Sequence, residues 1–228
     1  MVSIICCSMR QEFIENVFRN YESQICPQKE LIVILNNDQI DIEKWRLRAK
    51  QTENVSIFQV HSDRTLGECL NLGIGKARYN TIAKFDDDDY YAPAYLVNSI
   101  HALERSKADI IGKRTIFMYF ENEKVLAVHK PGKENIFVKQ GIKGATLVFK
   151  KEVWEHTRFP ALNLGEDTFF LSECAKKQCK IFSGDKYHYV CLRFSQPGHH
   201  TWNIGNHILL RKSSMVCETE DFRPFAEG

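Results

Sequence analysis

The stretch "AKFDDDDYYAP", residues 83–93, places four consecutive aspartates directly after an apolar approach and directly before two tyrosines. Four adjacent negative charges repel one another, so either solvent screens them on a surface or a cation holds them together. In an extended segment, residues two apart project to the same side, so Asp86 and Asp88 can share one ligand, as can Asp87 and Asp89. Carboxylate oxygens at this spacing suit Mg2+ or Mn2+. A solvated acidic loop is the usual alternative for a charge run, but this run continues a buried strand, which favours the cation site.

The aspartates end the fourth of four apolar strands that alternate with helices. The strands are predicted at residues 2–7 ("VSIICC"), 30–35 ("ELIVIL"), 55–60 ("VSIFQV") and 81–85 ("TIAKF"). Apolar side chains recur between them at helical spacing: Phe13, Ile14, Val17, Phe18 and Tyr21, then Ile42, Trp45, Leu47 and Ala49, then Leu66, Leu70, Ile74 and Ala77. This alternation predicts an α/β fold whose mainly parallel sheet carries helices on both faces. Such sheets bind ligands at the carboxyl ends of their strands, where the aspartates stand.

The pattern changes after residue 106. Strand-like stretches follow without helices between them, "DIIGKRTIFMYF", "KVLAVHK" and "GATLVFK", and then a helix from about 166 to 178 and short strands near 180 and 190. The sequence contains no linker, internal repeat or low-complexity tract. We therefore expect residues 1–228 to form a single domain with two halves, 1–106 and 107–228.

The composition is that of a globular protein, with 43% hydrophobic and 26% charged residues. Its 31 basic and 29 acidic residues leave a formal net charge of +2, which argues against nucleic acid or an anionic membrane as partner. The eight cysteines contain no C-x-x-C pair and no signal peptide precedes them, which predicts reduced thiols and a cytoplasmic location. No apolar run approaches the roughly 18 residues of a membrane helix, so any membrane contact would be peripheral.

A second acidic pair stands in "LNLGEDTFFL", where Glu166 and Asp167 precede a helical apolar run. The helix dipole favours ionised carboxylates in a first turn, and an ionised carboxylate at the rim of a pocket can act as a general base. Capping of the helix by Glu166, Asp167 or Thr168 is the alternative.

Two histidines and two arginines are weaker candidates. His199 and His200 lie in the turn "PGHHTW", and one of them could join an aspartate and a diphosphate on one metal. Arg64 lies between the third strand and its helix, and Arg193 ends "YHYVCLRF". Either guanidinium could bind a diphosphate, and either could equally be an ordinary surface arginine.

Taken in order, these segments resemble the family 2 glycosyltransferases with the GT-A fold over nearly the whole chain. The resemblance is carried by the segments "VSIICCSMR", "ELIVILNND", "LGECLNLGIGKARYNTIAKFDDDD", "GATLVFKKEVW", "GEDTFFL" and "RFSQPGHHTW". The short D-x-D motif within the aspartates is weak evidence for this family when taken alone. The six segments in their order along the chain are strong evidence. The resemblance implies a Rossmann-like, mixed and mainly parallel sheet, with a nucleotide-sugar-binding half at 1–106 and an acceptor-side half at 107–228.

The resemblance also implies a role for each candidate residue. In the donor site, Cys7 and Ser8 lie in the nucleotide loop, Asn36 reads the base, Asp86 contacts the ribose or a metal-bound water, and Asp87 lies beside them. The divalent cation, Mn2+ or Mg2+, is held by Asp88 with Asp86 and by His199 or His200. On the acceptor side, Asp167 deprotonates a hydroxyl with Glu166 beside it. The four adjacent aspartates and the doubled histidine each leave the register open by one residue.

The implied reaction is metal-dependent transfer of a sugar from a nucleotide diphosphate donor, a UDP-sugar in the family's common case, to a glycan or other hydroxyl acceptor. A single carboxylate opposite the leaving group favours inversion at the anomeric carbon. Two alternatives remain. A haloacid-dehalogenase-like phosphatase fits "KFDDDD" locally but needs that motif on the first strand of the domain. A binding module for nucleotides or glycans would keep the fold and lack turnover.

Overall fold

In a computed structural model, the structure describes residues 1–194 and 204–228. Its first part follows the predicted alternation of strands and helices. The strands are β1 (Val2–Ser8), β2 (Lys29–Leu35), β3 (Val55–Gln59) and β4 (Thr81–Asp86), and the helices between them are α1 (Ile14–Glu22), α2 (Ile42–Ala49) and α3 (Leu66–Lys76). A single 3-10 turn at Gln11–Phe13 leads into α1. The strand β4 ends on the first of the four aspartates, as its sequence predicts.

The remaining elements are shorter and more varied. They are β5 (Tyr90–Tyr91), α4 (Tyr95–Ser106), β6 (Ile110–Gly112), β7 (Ile116–Phe120), β8 (Val125–His129), β9 (Ile136–Val138), β10 (Val148–Lys150), α5 (Lys151–His156), α6 (Glu166–Lys176), β11 (Ile181–Ser183), β12 (Tyr189–Arg193), α7 (Asn206–Arg211), β13 (Ser213–Glu218) and α8 (Arg223–Ala226). A 3-10 turn at Gly144–Thr146 precedes β10, so only the end of "GATLVFK" is a strand.

Within the described residues, the larger sheet has eight strands in the order β3-β2-β1-β4-β10-β6-β11-β9. Strands β3, β2, β1 and β4 are mutually parallel, and β10 and β9 run antiparallel to their neighbours. This arrangement confirms the predicted mixed, mainly parallel sheet. Strands from both halves of the chain belong to it, and the carboxyl ends of β1 to β4 lie along one edge.

A second sheet was not predicted. In the described residues it has five strands in the order β13-β8-β7-β12-β5. Its strands β7 and β8 come from apolar stretches that the sequence marks as strands, but hydrophobic periodicity does not specify which strands pair. The sheet lies beside the aspartates, because β5 directly follows them and pairs with β12.

The larger sheet carries an apolar cluster on each face, as the continuous apolar strands predict. One cluster is built from Phe18, Trp45, Phe85, Tyr91 and Leu96, with inward side chains of the sheet. The opposite cluster is built from Leu70, Ile74, Trp154, Phe170 and Leu171. Along β4, the alternation sends Lys84 and Asp86 toward the face of the second cluster.

Helices α4 and α5 were not identified from the sequence. The residue before α4, Ala94, makes no side-chain capping hydrogen bond, and α5 spans only 6 residues, too few to show a helical repeat. By contrast, α3 has a complete capping box in which Thr65 and Glu68 each accept from the other's backbone N–H. No described helix has the length and apolar character needed to cross a membrane.

A methyl group at Gly67 is expected to destabilise the fold. Gly67 lies in the first turn of α3, and a Cβ there would fall 1.7 Å from the carbonyl oxygen of Pro160, which is backbone and cannot move aside cheaply. Gly67→Ala should therefore lower the free energy of unfolding by about 2 to 3 kcal/mol, measured by denaturant titration. The control is Gly75→Ala in the same helix, where the nearest atom lies 3.7 Å from the new Cβ. That change should stabilise by roughly 0.5 to 1 kcal/mol, and equal stability of the two variants would contradict the close approach.

Candidate functional site

Four loops meet at the edge of the larger sheet where β1, β2, β3 and β4 end. The side-chain amide of Asn37, after β2, donates to the carbonyl of Met9, after β1, over 2.8 Å. The neighbouring Asn36 directs its amide to the carbonyl of Arg64, after β3, over 3.5 Å. Ser8, at the end of β1, hydrogen-bonds to Asp87, after β4. The structure thus brings the predicted donor residues of all four loops to one edge.

The four aspartates alternate between buried and open positions. Asp87 and Asp89 are each 4% exposed, whereas the side chains of Asp86 and Asp88 are 38% and 13% exposed. This is the alternation expected from residues two apart. Asp86 and Asp88 are therefore the more exposed pair.

The buried carboxylate of Asp87 is held by residues that follow β1. The hydroxyl of Ser8 donates to it over 2.5 Å, and Nε of Arg10 donates to it over 3.2 Å. Arg10 also forms an ion pair with Asp88 at 3.0 Å. Burial and the charge of Asp88 raise the pKa of Asp87 to about 6, while Arg10 opposes this rise. Ser8 and Arg10 therefore fix the start of the aspartate loop.

Asp89 is tied to the second sheet. Its carboxylate accepts from the hydroxyl of Tyr189 and from the backbone N–H of Leu192, the latter over 3.1 Å. Burial and the charges of Asp88 and Asp86 raise its pKa well above the ordinary value. Asp89 therefore anchors the loop between the two sheets.

Two asparagines of α1 hold the loop from the other side. Asn16 donates to the carbonyls of Asp87 and Asp89 over 2.7 and 3.0 Å, and Asn20 donates to the carbonyl of Asp89 over 2.8 Å. These bonds satisfy carbonyls that a turning backbone leaves without a sheet partner. The backbone of the aspartate loop is thus hydrogen-bonded to α1.

The tyrosine Tyr91, which closes the stretch after the aspartates, links it to the opposite wall of the site. Its hydroxyl accepts from the backbone N–H of Asp86 over 2.8 Å and donates to the carbonyl of Ala145 over 2.7 Å. Its ring stacks on Phe85 with centroids 3.7 Å apart. Tyr91 thereby connects the backbone of Asp86 to the 3-10 turn before β10.

Lys84 lies one pleat before Asp86 on the same face of β4, with a side chain only 7% exposed. Its ammonium forms an ion pair with the Asp86 carboxylate. Burial works to lower the pKa of Lys84, but the charges of Asp86 and Glu166 outweigh it and raise that pKa above the ordinary value. The lysine therefore lies within the electrostatic reach of both acidic clusters.

The second acidic cluster begins α6. Glu166 is 5% exposed, and burial raises its pKa while the charge of Lys84 opposes the rise. Gly165 precedes the helix with φ of +81°, a conformation that favours glycine. Asp167 is half-buried, and its Oδ1 accepts from the backbone N–H of Thr168 over 2.6 Å.

The other carboxylate oxygen of Asp167 rests against Gly144 of the 3-10 turn. A Cβ built on Gly144 would lie 2.2 Å from Oδ2 of Asp167, so only glycine admits the carboxylate at this position. The charge of Asp167 also acts on Lys84. Asp167 and Asp86 therefore both lie within electrostatic reach of one lysine.

The remaining predicted residues fall into three groups. Cys7 is half-buried and pairs with Asp86 in the register of β1 and β4. The guanidinium of Arg193 is buried and donates to Asn206 over 3.1 Å and to the carbonyl of Ile204 over 2.9 Å, within electrostatic reach of Asp88 and Asp89. The predicted metal ligands His199 and His200 lie outside the described residues.

Sequence reasoning missed the residues that support the aspartates, namely Arg10, Asn16, Asn20 and Tyr189, and it missed Gly144, which lies against Asp167. Their signal is absent from the local sequence, since each is far along the chain from the aspartate that it contacts and reaches it only through the fold. Lys84 was visible in "AKFDDDD", because the spacing of two that groups Asp86 with Asp88 also groups Lys84 with Asp86.

The open aspartates fit a divalent cation of the Mg2+ or Mn2+ type. Such a cation needs one or two carboxylates and completes its shell with water and substrate phosphates, and Asp86 and Asp88 supply oxygens of that kind. Across residues 1–194 and 204–228, no three His, Cys, Asp or Glu side chains are grouped as a ready-made metal cage. The donor set therefore suits a cation shared with a phosphate-bearing ligand.

A family model and solved structures match this chain. The family model described as "Glycosyl transferase family 2" matches residues 3–152, about two thirds of the chain. No curated protein matches the sequence.

Solved structures share the fold at low sequence identity. The crystal structure of S. aureus TarS 1-349 is 15% identical and has a TM-score of 0.66 over 84% of this chain and 60% of that one. The same fragment in complex with UDP-GlcNAc gives a TM-score of 0.65 at 15% identity, over 86% and 59%. The mannosyltransferase PcManGT from Pyrobaculum calidifontis, in complex with GDP-Man and Mn2+, gives 0.66 at 17% identity, over 88% and 59%. The chain spans about three fifths of the length of these proteins.

Proposed function

Since this chain belongs to glycosyl transferase family 2 and is a glycosyltransferase with the GT-A fold, we propose that it moves a sugar from a nucleoside diphosphate donor to a hydroxyl acceptor. The donor proposed first is a UDP-sugar, and the acceptor is a glycan or another hydroxyl compound. One observation carries the proposal. The ammonium of the buried Lys84 pairs with Asp86 and also feels the charges of Glu166 and Asp167, so the two acidic clusters lie near one another. A sugar bound beside both clusters would have carboxylates for a cation at its leaving group and a carboxylate for its attacking hydroxyl.

The donor occupies the edge formed by the loops after β1 to β4. Asn36 contacts the base and Arg64 the diphosphate, and the hydrogen bond between these two loops supports that grouping. Cys7 lies next to Asp86 in the sheet. Ser8 contributes indirectly, because its hydroxyl is engaged in holding Asp87.

Asp88 and Asp86 would hold the divalent cation, Mn2+ or Mg2+, together with the donor diphosphate. When bound, such a cation neutralises the charge that builds on the leaving diphosphate. In this arrangement Asp87 and Asp89 are supports, since Arg10 and Tyr189 hold their carboxylates inside the loop. The proposed contribution of His199 or His200 falls on residues outside the described part of the chain.

Asp167 takes the proton of the acceptor hydroxyl. The hydroxyl oxygen then forms a bond to the anomeric carbon, and the bond from that carbon to the diphosphate oxygen breaks, so that the nucleoside diphosphate leaves with the electron pair. The contact with Gly144 and the bond from Thr168 hold the carboxylate in one position, and a fixed base acts more efficiently than a mobile one. One base opposite the leaving group supports inversion of configuration. Glu166 is too buried to meet an acceptor, and we assign it a supporting role beside Asp167.

Because the chain belongs to a glycosyltransferase family, the phosphatase alternative is set aside. All eight cysteines lie in described residues and none of them forms a disulfide there, which supports the proposal of a cytoplasmic location with reduced thiols.

A thermal-shift series of nucleoside diphosphates with and without Mn2+ tests the donor site. We expect UDP with Mn2+ to raise the melting temperature, because a ligand that binds only the folded state stabilises it by about 2.7 kcal/mol at 100 times its Kd. Mn2+ alone or UDP with EDTA should give a much smaller shift. Stabilisation by GDP instead would change the assigned base, and equal shifts with and without metal would contradict the proposed cation site.

A further inference from the structure

The proposed reaction makes no use of Lys84, a buried lysine whose ammonium forms an ion pair with Asp86. A lysine side chain that is 93% removed from solvent is costly unless carboxylates compensate its charge. Lys84 forms an ion pair with Asp86 and also feels the charges of Glu166 and Asp167. Its backbone is fixed as well, since its N–H donates to the carbonyl of Leu147 over 2.9 Å.

We propose that Lys84 is a positioning residue that serves as the counter-cation of Asp86 before the donor binds, so that a divalent cation binds weakly until the donor diphosphate arrives with it. This inference rests on the proposed function. The carboxylate that a divalent cation would share is already paired with an ammonium group. A cation entering alone must weaken that ion pair and approach a positive charge at close range, and both effects oppose binding.

A bound donor changes this balance of charges. A diphosphate brings negative charge to the same place, which compensates Lys84 and leaves Asp86 available to the cation. Binding of cation and nucleotide is therefore strongly coupled, and by linkage each tightens the other by the same factor. The strength of that coupling depends on Lys84.

The measurement is the Kd of Mn2+ by titration calorimetry or by electron paramagnetic resonance of free Mn2+, with no nucleotide and with saturating UDP or GDP. In the wild-type protein, nucleotide should tighten Mn2+ binding by tenfold or more. In Lys84→Met, Mn2+ alone should bind about tenfold or more tightly than in the wild type, because one nearby positive charge is gone. The coupling factor should shrink accordingly, and Lys84→Arg, which keeps the charge, should behave as the wild type.

Lys113→Met is the matched control. Lys113 is also a buried lysine paired with an aspartate, since its ammonium donates to the carbonyl and carboxylate of Asp185 over 2.7 and 3.2 Å. Its loss should leave the Mn2+ affinity within a factor of two or three. If Lys84→Met does not fold, Lys84→Gln removes the same charge and retains a polar end.

Unchanged or weaker binding of Mn2+ alone by a folded, charge-free variant at Lys84 would overturn the inference. So would a wild-type protein that binds Mn2+ equally well with and without nucleotide. If neither UDP nor GDP supports any Mn2+ binding in the wild type, the proposed function itself fails, and that outcome is distinct from a failure of the role of Lys84.

Discussion

Asp167→Asn is expected to lower the rate of sugar transfer by about 10²- to 10⁴-fold, the usual contribution of a general base. An amide keeps the size of the side chain and can still accept from Thr168, but it cannot take the acceptor proton. Binding of nucleotide and metal should stay close to that of the wild type, because the proposed donor and cation contacts do not include Asp167. The measurement is the transfer rate at saturating donor, with the Kd of the nucleotide determined on the same sample.

Glu173→Gln is the control for this prediction. Glu173 lies on the same helix as Asp167, six residues farther along the chain. Its carboxylate pairs with the ammonium of Lys176 over 2.6 Å. It should transfer sugar at the wild-type rate. Full activity of Asp167→Asn would show that Asp167 is not the base and would leave helix capping as its role.

Gly144→Ala is expected to lower the transfer rate by about 10²-fold, with a smaller loss of stability than Gly67→Ala. The added Cβ would fall 2.2 Å from Oδ2 of Asp167, so the carboxylate must turn away from its present position. Cγ and Cβ of Asp167 would lie 2.8 and 2.9 Å away, so the start of α6 must also shift slightly, whereas at Gly67 the conflict is with a backbone carbonyl at 1.7 Å. We therefore expect the variant to fold and to lose activity.

A double-mutant cycle separates this explanation from a general disturbance of the loop. If Gly144→Ala acts by displacing the Asp167 carboxylate, it should cost little in a protein that already carries Asp167→Asn. Additive losses would mean that Gly144 acts through some other contact. Unchanged activity of the single variant would mean that the carboxylate does not need its present position.

The sequence predicts the larger sheet well because its four parallel strands are continuous apolar runs with helical spacing between them. It also predicts that Asp86 and Asp88 share one side, since a period of two is a local property of the backbone. The second sheet and the partners of Asp89 depend on which distant strands meet, and no local pattern encodes that. Gly144 illustrates the same limit, because its importance comes from α6 packing against it across the chain.

The proposed reaction releases a nucleoside diphosphate each time a sugar is transferred. The most direct measurement follows nucleotide release from UDP-GlcNAc, other UDP-sugars and GDP-mannose, by wild-type protein and by Asp88→Asn, with Mn2+ and added hydroxyl acceptors. We expect the wild type to release the nucleoside diphosphate from one donor class and Asp88→Asn to lose that release. A folded wild-type protein that binds the nucleoside diphosphate tightly yet releases it from no donor would contradict the proposed transfer and favour a binding module.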